Sequence, residues 1–445
     1  MFETIRNAWK LADLRKKIIY TLIIIFIYRI GTALPIPYLD GTLLQNASLQ
    51  ADGSVFQYLN ILSGNAFSNG TLFALGINPY ITASIVLQLL CVAIPALERL
   101  SKEGEEGRKK INQLTRYITV GLGLLTAFGY YRLLSSYGVI TETGFFPAVV
   151  IIACYCAGSA LVMWIAEKIN ENGIGNGISI ILFANIISRL PSMVLSLIKM
   201  VTGKFPSETD AATGAALNYF SWWVGLIIAV VAVVVAIAMV AFIVWMTNSE
   251  RKLPIQYAKK VVGRKMYGGQ SSNLPIKVNM VGVMPIIFAN SIITIPATID
   301  MFVRGKGRVW RFLVDKVFSS GSLLYALLTL ILLVAFAYFY IAISFNPVEV
   351  ANNIKNQGGF IPGIRPGRPT SDYISKVLSK ITFIGAILLA VVAILPLLVN
   401  IFSGGRFASL AFGGSSVIIV VGVVLETIRE IEAQMTMRHY KSFLD

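Results

Sequence analysis

Charged residues are scarce in this chain of 445 residues: Asp, Glu, Lys and Arg together make up 13%, whereas hydrophobic residues make up 56%. The mean hydropathy is accordingly high, at +0.72. A water-soluble chain of this length would need far more polar residues to cover its core. The composition therefore excludes a soluble protein and predicts an all-α polytopic membrane protein.

Acidic residues are fewer than basic ones. The chain has 22 Asp and Glu against 38 Lys and Arg, which gives a formal net charge of +16 at pH 7. Because most of the chain is expected to lie in lipid, this positive charge must be concentrated in a few loops. Such loops fit a ribosome or an anionic membrane surface better than direct, sequence-specific binding of nucleic acid.

Side chains that commonly carry chemistry are also few. The chain has a single histidine, His439, and three cysteines, Cys91, Cys154 and Cys156, each within an apolar run. Cys154 and Cys156 are two residues apart and so point to different sides of a helix, which argues against a disulfide. We find no His–Cys–carboxylate cluster for a metal and no pair of midplane carboxylates for proton coupling. We therefore expect no cofactor, no metal site and no enzymatic activity.

Ten apolar runs are long enough to form helices that cross a bilayer, which takes about 20 residues. They cover residues 18–34, 71–94, 116–134, 147–165, 177–198, 222–246, 278–299, 322–344, 381–401 and 415–431. If the ten spans form two sets of five, the second set has the opposite orientation in the membrane, because each set contains an odd number of spans. The predicted fold is ten transmembrane helices. Their arrangement in two pseudo-symmetric inverted halves, residues 18–200 and 221–431, is a geometric possibility, because the sequence shows no convincing repeat.

The positions of Lys and Arg predict the orientation. They cluster before the first span and in the loops that follow the second, sixth and eighth spans, whereas residues 35–70 contain none. Because cytoplasmic loops carry an excess of Lys and Arg, both termini are predicted to be cytosolic. Residues 1–17 are then an amphipathic lead-in and residues 432–445 a tail. One loop disagrees, since residues 303–316 carry five basic side chains on the predicted outer side.

The stretch from residue 56 to residue 95 combines a short apolar half-helix, residues 56–67, with a full-length span that starts at Thr71. Counting about 1.5 Å per residue from Thr71 places Ile81 roughly 15 Å deep, near the midplane. Ile77, Ile81 and Ile85 are four residues apart and share one face of a helix. One interpretation is a lined passage with the half-helix packed into its mouth. The other is a re-entrant loop and a stripe that packs against a neighbouring helix.

Two predicted cytosolic loops, residues 247–277 and 345–380, are rich in basic residues. Their charge alone is explained by membrane topology. In the second loop, however, the run GFIPGIRPG surrounds Arg365 with Gly and Pro. Such turn residues fix the shape of a loop, which a topology signal does not need. We therefore favour a docking point for a partner at Arg365.

Several ordered stretches make the chain resemble the SecY/Sec61-alpha family, the channel-forming subunits of protein translocases. The resemblance runs from about residue 15 into the tail and rests on these stretches: RIGTALPIP from Arg29, LGINPYITASI from Leu75, EGEEGRKKI from Glu103, ENGIGNGISI from Glu171, QYAKKVVGRKMYGGQSSNLPIKVN from Gln256, NPVEVANNIKNQGGFIPGIRPG from Asn346 and FGGSSVIIVV from Phe412. It is weakest in four predicted external segments, one of which contains the basic loop 303–316.

The resemblance implies two halves that enclose an hourglass pore with an aliphatic constriction. That constriction would be formed by a pore ring of Ile77, Ile81, Ile178, Leu182, Ile287 and Ile419, with Leu182 where isoleucine is common in the family. A plug that closes the pore from outside would include Tyr58, Leu59, Asn60, Ile61, Leu62, Ser63 and Gly64. Secretory polypeptides would cross through the pore unfolded.

The resemblance also implies a lateral gate between the second and seventh spans, through which hydrophobic segments enter the lipid. Its candidate residues are Thr82, Ile85, Gln88, Asn290 and Ile295. The docking site for the SecA motor and the ribosome would include Lys259, Lys260, Arg264, Lys265 and Arg365. The implied partners are SecE, SecG, SecA, the ribosome, signal peptides, nascent chains and membrane lipids, and the implied location is the bacterial cytoplasmic membrane. The alternative function is a solute secondary transporter, which would need fixed polar groups near the midplane.

Overall fold

The computed structural model describes residues 2–441 except residues 42, 45–62, 65, 137, 143, 205, 210–215, 220, 258–259, 263–264, 268–270, 281, 303–306, 308–309, 311, 319–321 and 403–413. The described chain is mainly helical.

In the first part of the chain, the described residues form eight helices and a small hairpin. The helices are α1 (Phe2–Lys10), α2 (Ala12–Gly31), α3 (Asn78–Ala93), α4 (Pro95–Lys102), α5 (Glu105–Ser136), α6 (Phe145–Asn172), α7 (Gly177–Ile187) and α8 (Leu190–Val201). Strands β1 (Pro206–Thr209) and β2 (Ala216–Tyr219) follow and pair antiparallel.

In the second part, the described residues form six helices, five strands and a π-helical turn (Leu313–Val317). The helices are α9 (Trp222–Asn248), α10 (Met284–Phe302), α11 (Leu323–Ser344), α12 (Pro347–Asn356), α13 (Arg368–Phe402) and α14 (Gly414–Lys441). The strands are β3 (Glu250–Tyr257), β4 (Lys260–Val262), β5 (Lys265–Tyr267), β6 (Ser271–Lys277) and β7 (Gly359–Phe360). The sequence analysis placed only loops where these strands lie.

Each of the ten predicted spans coincides with a helix or, for the fifth, with a pair of helices. By length and composition, six segments of the described chain are apolar enough to cross a membrane, and the bent pair α3 and α4, which meet at 104°, makes a seventh. In α10 the apolar part is the shorter stretch Met284–Pro296. Helices α2 and α14 hold the first and tenth predicted spans and continue into charged residues.

The second span starts later than predicted. Residues 71–77 form turns, and α3 begins only at Asn78, so that Pro79 lies in the first turn of the helix and not in its interior. A proline fits there because the first backbone N–H groups of a helix have no intrahelical acceptor. The depth of Ile81 counted along a helix from Thr71 was therefore wrong.

The fifth span is not one continuous helix as predicted. Helix α7 ends at Ile187 and α8 begins at Leu190, with Pro191 in the first turn of α8. The Ser188 hydroxyl donates to the carbonyl of Asn185 at 2.7 Å, which satisfies one of the acceptors that the break exposes.

The helices of the described chain pack as two groups. In the first group α3, α5, α6, α7 and α2 contact one another, and in the second group α9, α10, α11, α13 and α14 do. Between the groups, α10 packs against α3 and α5, α14 packs against α7, and α8 packs against α9. One large hydrophobic cluster, the central cluster, takes buried residues from both groups.

The second group carries a small folded unit made of the sheet β6–β3–β7, helix α12 and the start of α13. We call it the cytosolic unit, after the side of the membrane that the sequence predicts for its two loops. Strand β3 pairs antiparallel with both neighbours. The unit has its own buried core, which includes Leu253 on β3, Ile276 on β6, Ile354 on α12, Ile361 after β7 and Ile374 on α13.

The lead-in and the tail contact each other. Ala8, Leu14, Ile174 and Ile431 form a small buried cluster between α1, α2, the α6–α7 turn and α14. The Lys17 ammonium donates to the Gln434 side chain at 3.2 Å. The predicted lead-in, residues 1–17, thus contains a separate helix, α1, and the first six residues of α2.

Candidate functional site

The isoleucine stripe of the second span is buried. The exposed fractions are 1% for Ile77, 4% for Ile81 and 3% for Ile85. Ile77 caps the N-terminus of α3, and its carbonyl accepts from the Ile81 amide at 3.1 Å, so the three side chains keep the spacing that places them on one face.

Side chains from three other helices join this stripe in the central cluster. Leu182 on α7, Ile287 on α10 and Ile419 on α14 are 2%, 4% and 3% exposed, and Ile178 at the start of α7 packs against them while partly buried. The structure therefore brings all six residues of the predicted pore ring into one apolar cluster that the two groups of helices share.

The predicted plug is described only at its end. Tyr58, Leu59, Asn60, Ile61 and Leu62 lie outside the described residues. Ser63 is buried, and its hydroxyl accepts from the Phe67 amide at 3.1 Å. Residues 66–70 form turns, so the half-helix does not continue to residue 67.

The backbone of Gly64 lies directly against helix α7. A Cβ built on Gly64 would lie 3.0 Å from the Ser188 hydroxyl and 3.1 Å from the Asn185 Cα. Gly64 also has a φ of +63°, a conformation that side chains disfavour. Both facts explain why a glycine stands here.

A buried polar contact that the sequence analysis missed lies at the same place. The Tyr28 hydroxyl on α2 donates to Asn185 Oδ1 on α7 at 2.8 Å, and both residues are fully buried. The next residue, Arg29, donates to the Ala184 carbonyl at 3.3 Å. A basic side chain near the C-terminal end of a helix is favourable because the last carbonyls carry partial negative charge. A basic residue inside the first span was the one sequence signal that pointed to this contact.

Aromatic rings hold the segment that follows the plug. Phe67 packs edge-on against Tyr130 of α5 at 5.1 Å between centroids, and Tyr130 packs on Tyr155 of α6 at 5.9 Å. Such pairs stabilise beyond the area that they bury. The chain on the C-terminal side of Gly64 is therefore fixed to the first group of helices.

The predicted gate residues lie on two helices that pack together, α3 and α10. Ile85 is buried in the central cluster, Thr82 and Asn290 are half-buried, and Ile295 is 37% exposed. Gln88 is exposed, and its amide donates to Ser84 on its own helix at 3.3 Å. In α10, the hydroxyls of Ser291 and Thr294 bond to backbone carbonyls one turn earlier, ahead of the internal Pro296.

The predicted docking residues lie on the cytosolic unit or next to it. Lys260 and Lys265 lie in the antiparallel hairpin β4–β5, whereas Lys259 and Arg264 lie outside the described residues. Arg365 is exposed, and its carbonyl accepts from the Thr370 hydroxyl at 2.8 Å. Gly363 and Gly367 on either side have φ values of +83° and +101°, so glycine is required at both turns.

The electrostatic surroundings of the cytosolic unit are mainly basic. Burial and the nearby Arg429 lower the pKa of Lys277 at the end of β6. Arg429 itself donates to the Thr247 carbonyl and to Asn248 Oδ1, each at 2.9 Å, at the C-terminal end of α9. These two bonds tie α14 to the end of α9, directly before β3.

Comparison with known proteins identifies relatives along the whole chain. The protein-family model described as SecY matches residues 71–428. A protein translocase subunit SecY from Streptomyces galbus is 41% identical over 457 residues, which cover all of both chains.

Two solved structures show the same fold at low sequence identity. One is a structure of a SecY protein whose plug domain is described as stabilising the closed state of the translocation channel and maintaining a membrane seal. It superposes with a TM-score of 0.63 and 17% sequence identity, and the match covers 95% of this chain and 92% of that one. The other is Sec61 in the canine ribosome–channel complex, with a TM-score of 0.60, 16% identity and the same coverage. The resemblance noted in the sequence is confirmed, and so are the ten transmembrane helices in two halves: this multi-pass membrane protein belongs to the SecY family.

Proposed function

We propose that this chain is a protein-conducting channel, which lets unfolded secretory polypeptides cross the cytoplasmic membrane and releases hydrophobic segments sideways into lipid. One observation carries the proposal: six aliphatic side chains from four helices of the two halves meet in one cluster. Membership in the SecY family supports it.

The chemistry of these six residues suits a channel for polypeptides. Branched aliphatic side chains have no groups that replace the hydration shell of an ion, so a narrow ring of them excludes water and ions. They also form no fixed hydrogen bonds, so they select no particular sequence. A solute transporter would instead need fixed polar groups that recognise one substrate.

The two halves, residues 18–200 and 221–431, would open around this ring. The plug, residues 58–64, would close it from outside in the resting state. The gate would lie between α3 and α10, because the two helices pack together at a seam between the halves.

The cytosolic unit supplies a docking surface for the partners that drive transport. Its hydrophobic core and its glycine turns hold the Arg365 guanidinium in an exposed position. We propose that the SecA motor and the ribosome bind here, that SecE and SecG complete the complex, and that both termini face the cytosol. The Sec61 relative, seen in a ribosome–channel complex, supports a ribosome as partner.

The proposal is tested by crosslinking a transported chain to the ring. A photoreactive residue replaces Ile81 in one variant and Leu124, an exposed residue of α5, in a control variant. A secretory precursor with a folded C-terminal domain is then stalled during ATP-driven transport into vesicles. We expect the stalled chain to crosslink at position 81 and not at position 124. A precursor that crosses the membrane without crosslinking at 81, or that crosslinks equally at both, contradicts the proposed path.

A further inference from the structure

Arg429 of α14 contacts the last turn of α9, and neither the pore ring nor the gate accounts for this contact. Its guanidinium donates to the Thr247 carbonyl and to Asn248 Oδ1, each at 2.9 Å. The last four carbonyls of a helix lack an intrahelical donor and carry partial negative charge, so they attract a basic side chain. Arg429 therefore joins α14 to α9 by two charge-assisted hydrogen bonds.

The end of α9 leads directly into the sheet of the cytosolic unit. Ser249 connects α9 to β3, and its carbonyl accepts from the Val278 amide at 2.9 Å. The next pair in the sheet is Glu250 of β3 with Lys277 of β6. Burial lowers the pKa of Lys277, and the nearby charge of Arg429 lowers it further. Four residues thus lie together at the base of the sheet, and we call them the junction: Thr247, Asn248, Lys277 and Arg429.

Both ring residues of the second group of helices lie ten positions from the junction. Ile287 follows Lys277 by ten positions, and Ile419 precedes Arg429 by ten. Along α14 this separation is roughly 15 Å, because an α-helix rises about 1.5 Å per residue. The Ile287 amide donates to the Val283 carbonyl at 3.2 Å, which fixes Ile287 to the segment that leads from β6 into α10.

The two connections from the junction to the ring touch each other. A Cβ built on Gly422 of α14 would overlap the Val283 side chain, so α14 lies directly against the segment before α10. On α13, a Cβ on Gly385 would overlap the Val278 carbonyl. Packing this close transmits displacement, because protein interiors are hardly compressible. We therefore expect the junction, α14 and the start of α10 to move as one body.

We propose that Arg429 is a positioning residue that fastens α14 to the base of the cytosolic unit, so that a partner docked on the unit moves Ile419 and Ile287 of the ring together. Without this contact the partner still binds, but α14 no longer follows the unit. The inference rests on the proposed function and names the residue through which docking acts on the pore. Arg429 acts through α14 and not by contact with the transported chain.

A purely structural role for Arg429 is the competing explanation, because the same two bonds cap α9. The two roles differ in what a substitution changes. Loss of a cap lowers the thermal stability of the channel, and docking and transport fall with it. Loss of a coupling contact leaves stability and docking intact and lowers only the response of the ring to docking.

The first test measures docking and the response of the ring separately. In a chain whose three native cysteines are replaced by serine, Ile419→Cys places a thiol in the ring. A small water-soluble reagent modifies this thiol in vesicles, with and without the SecA motor held on the channel by a non-hydrolysable ATP analogue. We expect the motor to raise the modification rate by about tenfold with Arg429 and by less than about twofold in Arg429→Gln, since coupling between two sites commonly lies between roughly 5-fold and 150-fold. The dissociation constant of the motor should be the same in both.

Two further variants serve as controls. Lys380→Gln removes one positive charge at an exposed residue of α13, and it should respond to the motor as the unmodified ring does. Arg429→Lys keeps the charge and a donor, although not the planar fork, and it should restore part of the response. A ring that responds equally with and without Arg429 overturns the proposal. So does a ring that never responds to the motor, or an Arg429→Gln channel that loses motor binding or thermal stability.

The second test changes the acceptor and leaves Arg429 in place. Asn248 is exposed, so its substitution is expected to disturb the fold little. Asn248→Ala removes one of the two acceptors and should lower the response of the ring, whereas Asn248→Asp strengthens the bond by its charge and should keep the response at least at the unmodified level. In Arg429→Gln, neither substitution at position 248 should change the response further. Effects of the two positions that simply add contradict a coupling carried by this contact.

The tests distinguish the junction from the function beneath it. If the unmodified chain fails to crosslink a stalled precursor at position 81, the proposed function is wrong whatever the variants at positions 248 and 429 do. If that crosslink forms but the ring of Arg429→Gln responds to the motor as the unmodified ring does, only the role of the junction is wrong.

Discussion

At the scale of single residues, glycines set how closely the first group of helices can pack. A Cβ on Gly158 of α6 would overlap the carbonyl of Leu72, and one on Gly31 of α2 would overlap the Phe73 ring. Both neighbours lie in the turns, residues 71–77, that lead into α3. The position of α3, and with it the isoleucine stripe, therefore depends on glycine at positions 31 and 158, where any side chain would overlap a neighbour.

We predict opposite effects for two glycines of neighbouring helices. Gly158→Ala should lower the free energy of unfolding by about 1–3 kcal/mol, because the added methyl group overlaps backbone that cannot move aside easily. Gly121→Ala in α5, where no atom lies within 4 Å, should be neutral or stabilising by up to about 1 kcal/mol, since alanine favours a helix. Thermal unfolding in detergent measures both, and equal destabilisation would contradict the close approach of Leu72.

Sequence spacing predicted which isoleucines share a face but not what lies beside them. The period of four placed Ile77, Ile81 and Ile85 together because helical geometry is local. The bond between Tyr28 and Asn185 joins residues 157 positions apart. No local pattern encodes such a pair, and only the unusual charge of Arg29 marked the region.

At the scale of elements, the cytosolic unit is the feature that loops alone do not explain. Strand β3 pairs with β6 from residue 250 to residue 256 and with β7 at its far end, and α12 covers the sheet. Because this unit has its own core, the loop around Arg365 stands on a rigid base. A docking surface requires such a base, since a rigid partner binds with a smaller loss of entropy.

We predict that Arg365→Glu lowers motor-driven transport by at least about tenfold while the melting temperature stays near that of the unmodified protein. The physical reason is that an exposed charge contributes little to folding, whereas reversing it at an interface opposes docking. Transport of a precursor into vesicles and thermal unfolding in detergent measure the two effects.

The control for this prediction is Lys376→Glu, the same reversal of charge at an exposed residue two turns into α13. It should retain most of the transport. A loss of stability in Arg365→Glu that parallels its loss of transport would show that the residue is structural, and an equal loss in Lys376→Glu would show that only net charge matters.

The existence of the helices was predictable, and their ends were not. Hydropathy placed all ten spans because burial in lipid demands long apolar runs. The late start of α3, the break between α7 and α8 and the strands of the cytosolic unit all depend on packing between distant segments. The local signals were present in Pro79 and Pro191, each in the first turn of its helix, and a proline in an apolar run marks a helix start as readily as a kink.

At the scale of the whole molecule, three main contacts join the two halves in the described part of the chain. One joins α7 to α14, near the cluster that α1 and the α6–α7 turn form with the tail, and another joins α8 to α9. The third joins α10 to α3 and α5. If the first two stay closed while the halves separate, the third must open, and the pore then gains an exit to lipid. A channel that integrates membrane proteins needs such an exit, whereas a simple pore does not.

This exit gives the last prediction. In a chain without its native cysteines, Thr82→Cys on α3 and Ile295→Cys on α10 place sulphurs on the two helices of the seam, one half-buried and one 37% exposed. With both termini in the cytosol, as proposed, the second span runs inward and the seventh outward, so we expect the two positions to approach in the outer half. A bridge requires Cα atoms about 4.4–6.8 Å apart, so its formation under mild oxidant reports that α3 and α10 are closed there.

With the bridge formed, hydrophobic segments should stop partitioning into lipid, because two covalently joined helices cannot separate, and reducing agent should restore insertion. Each single-cysteine variant, treated with the same oxidant, should insert normally. Insertion at the full rate through a channel whose bridge is demonstrably closed would mean that membrane segments leave elsewhere.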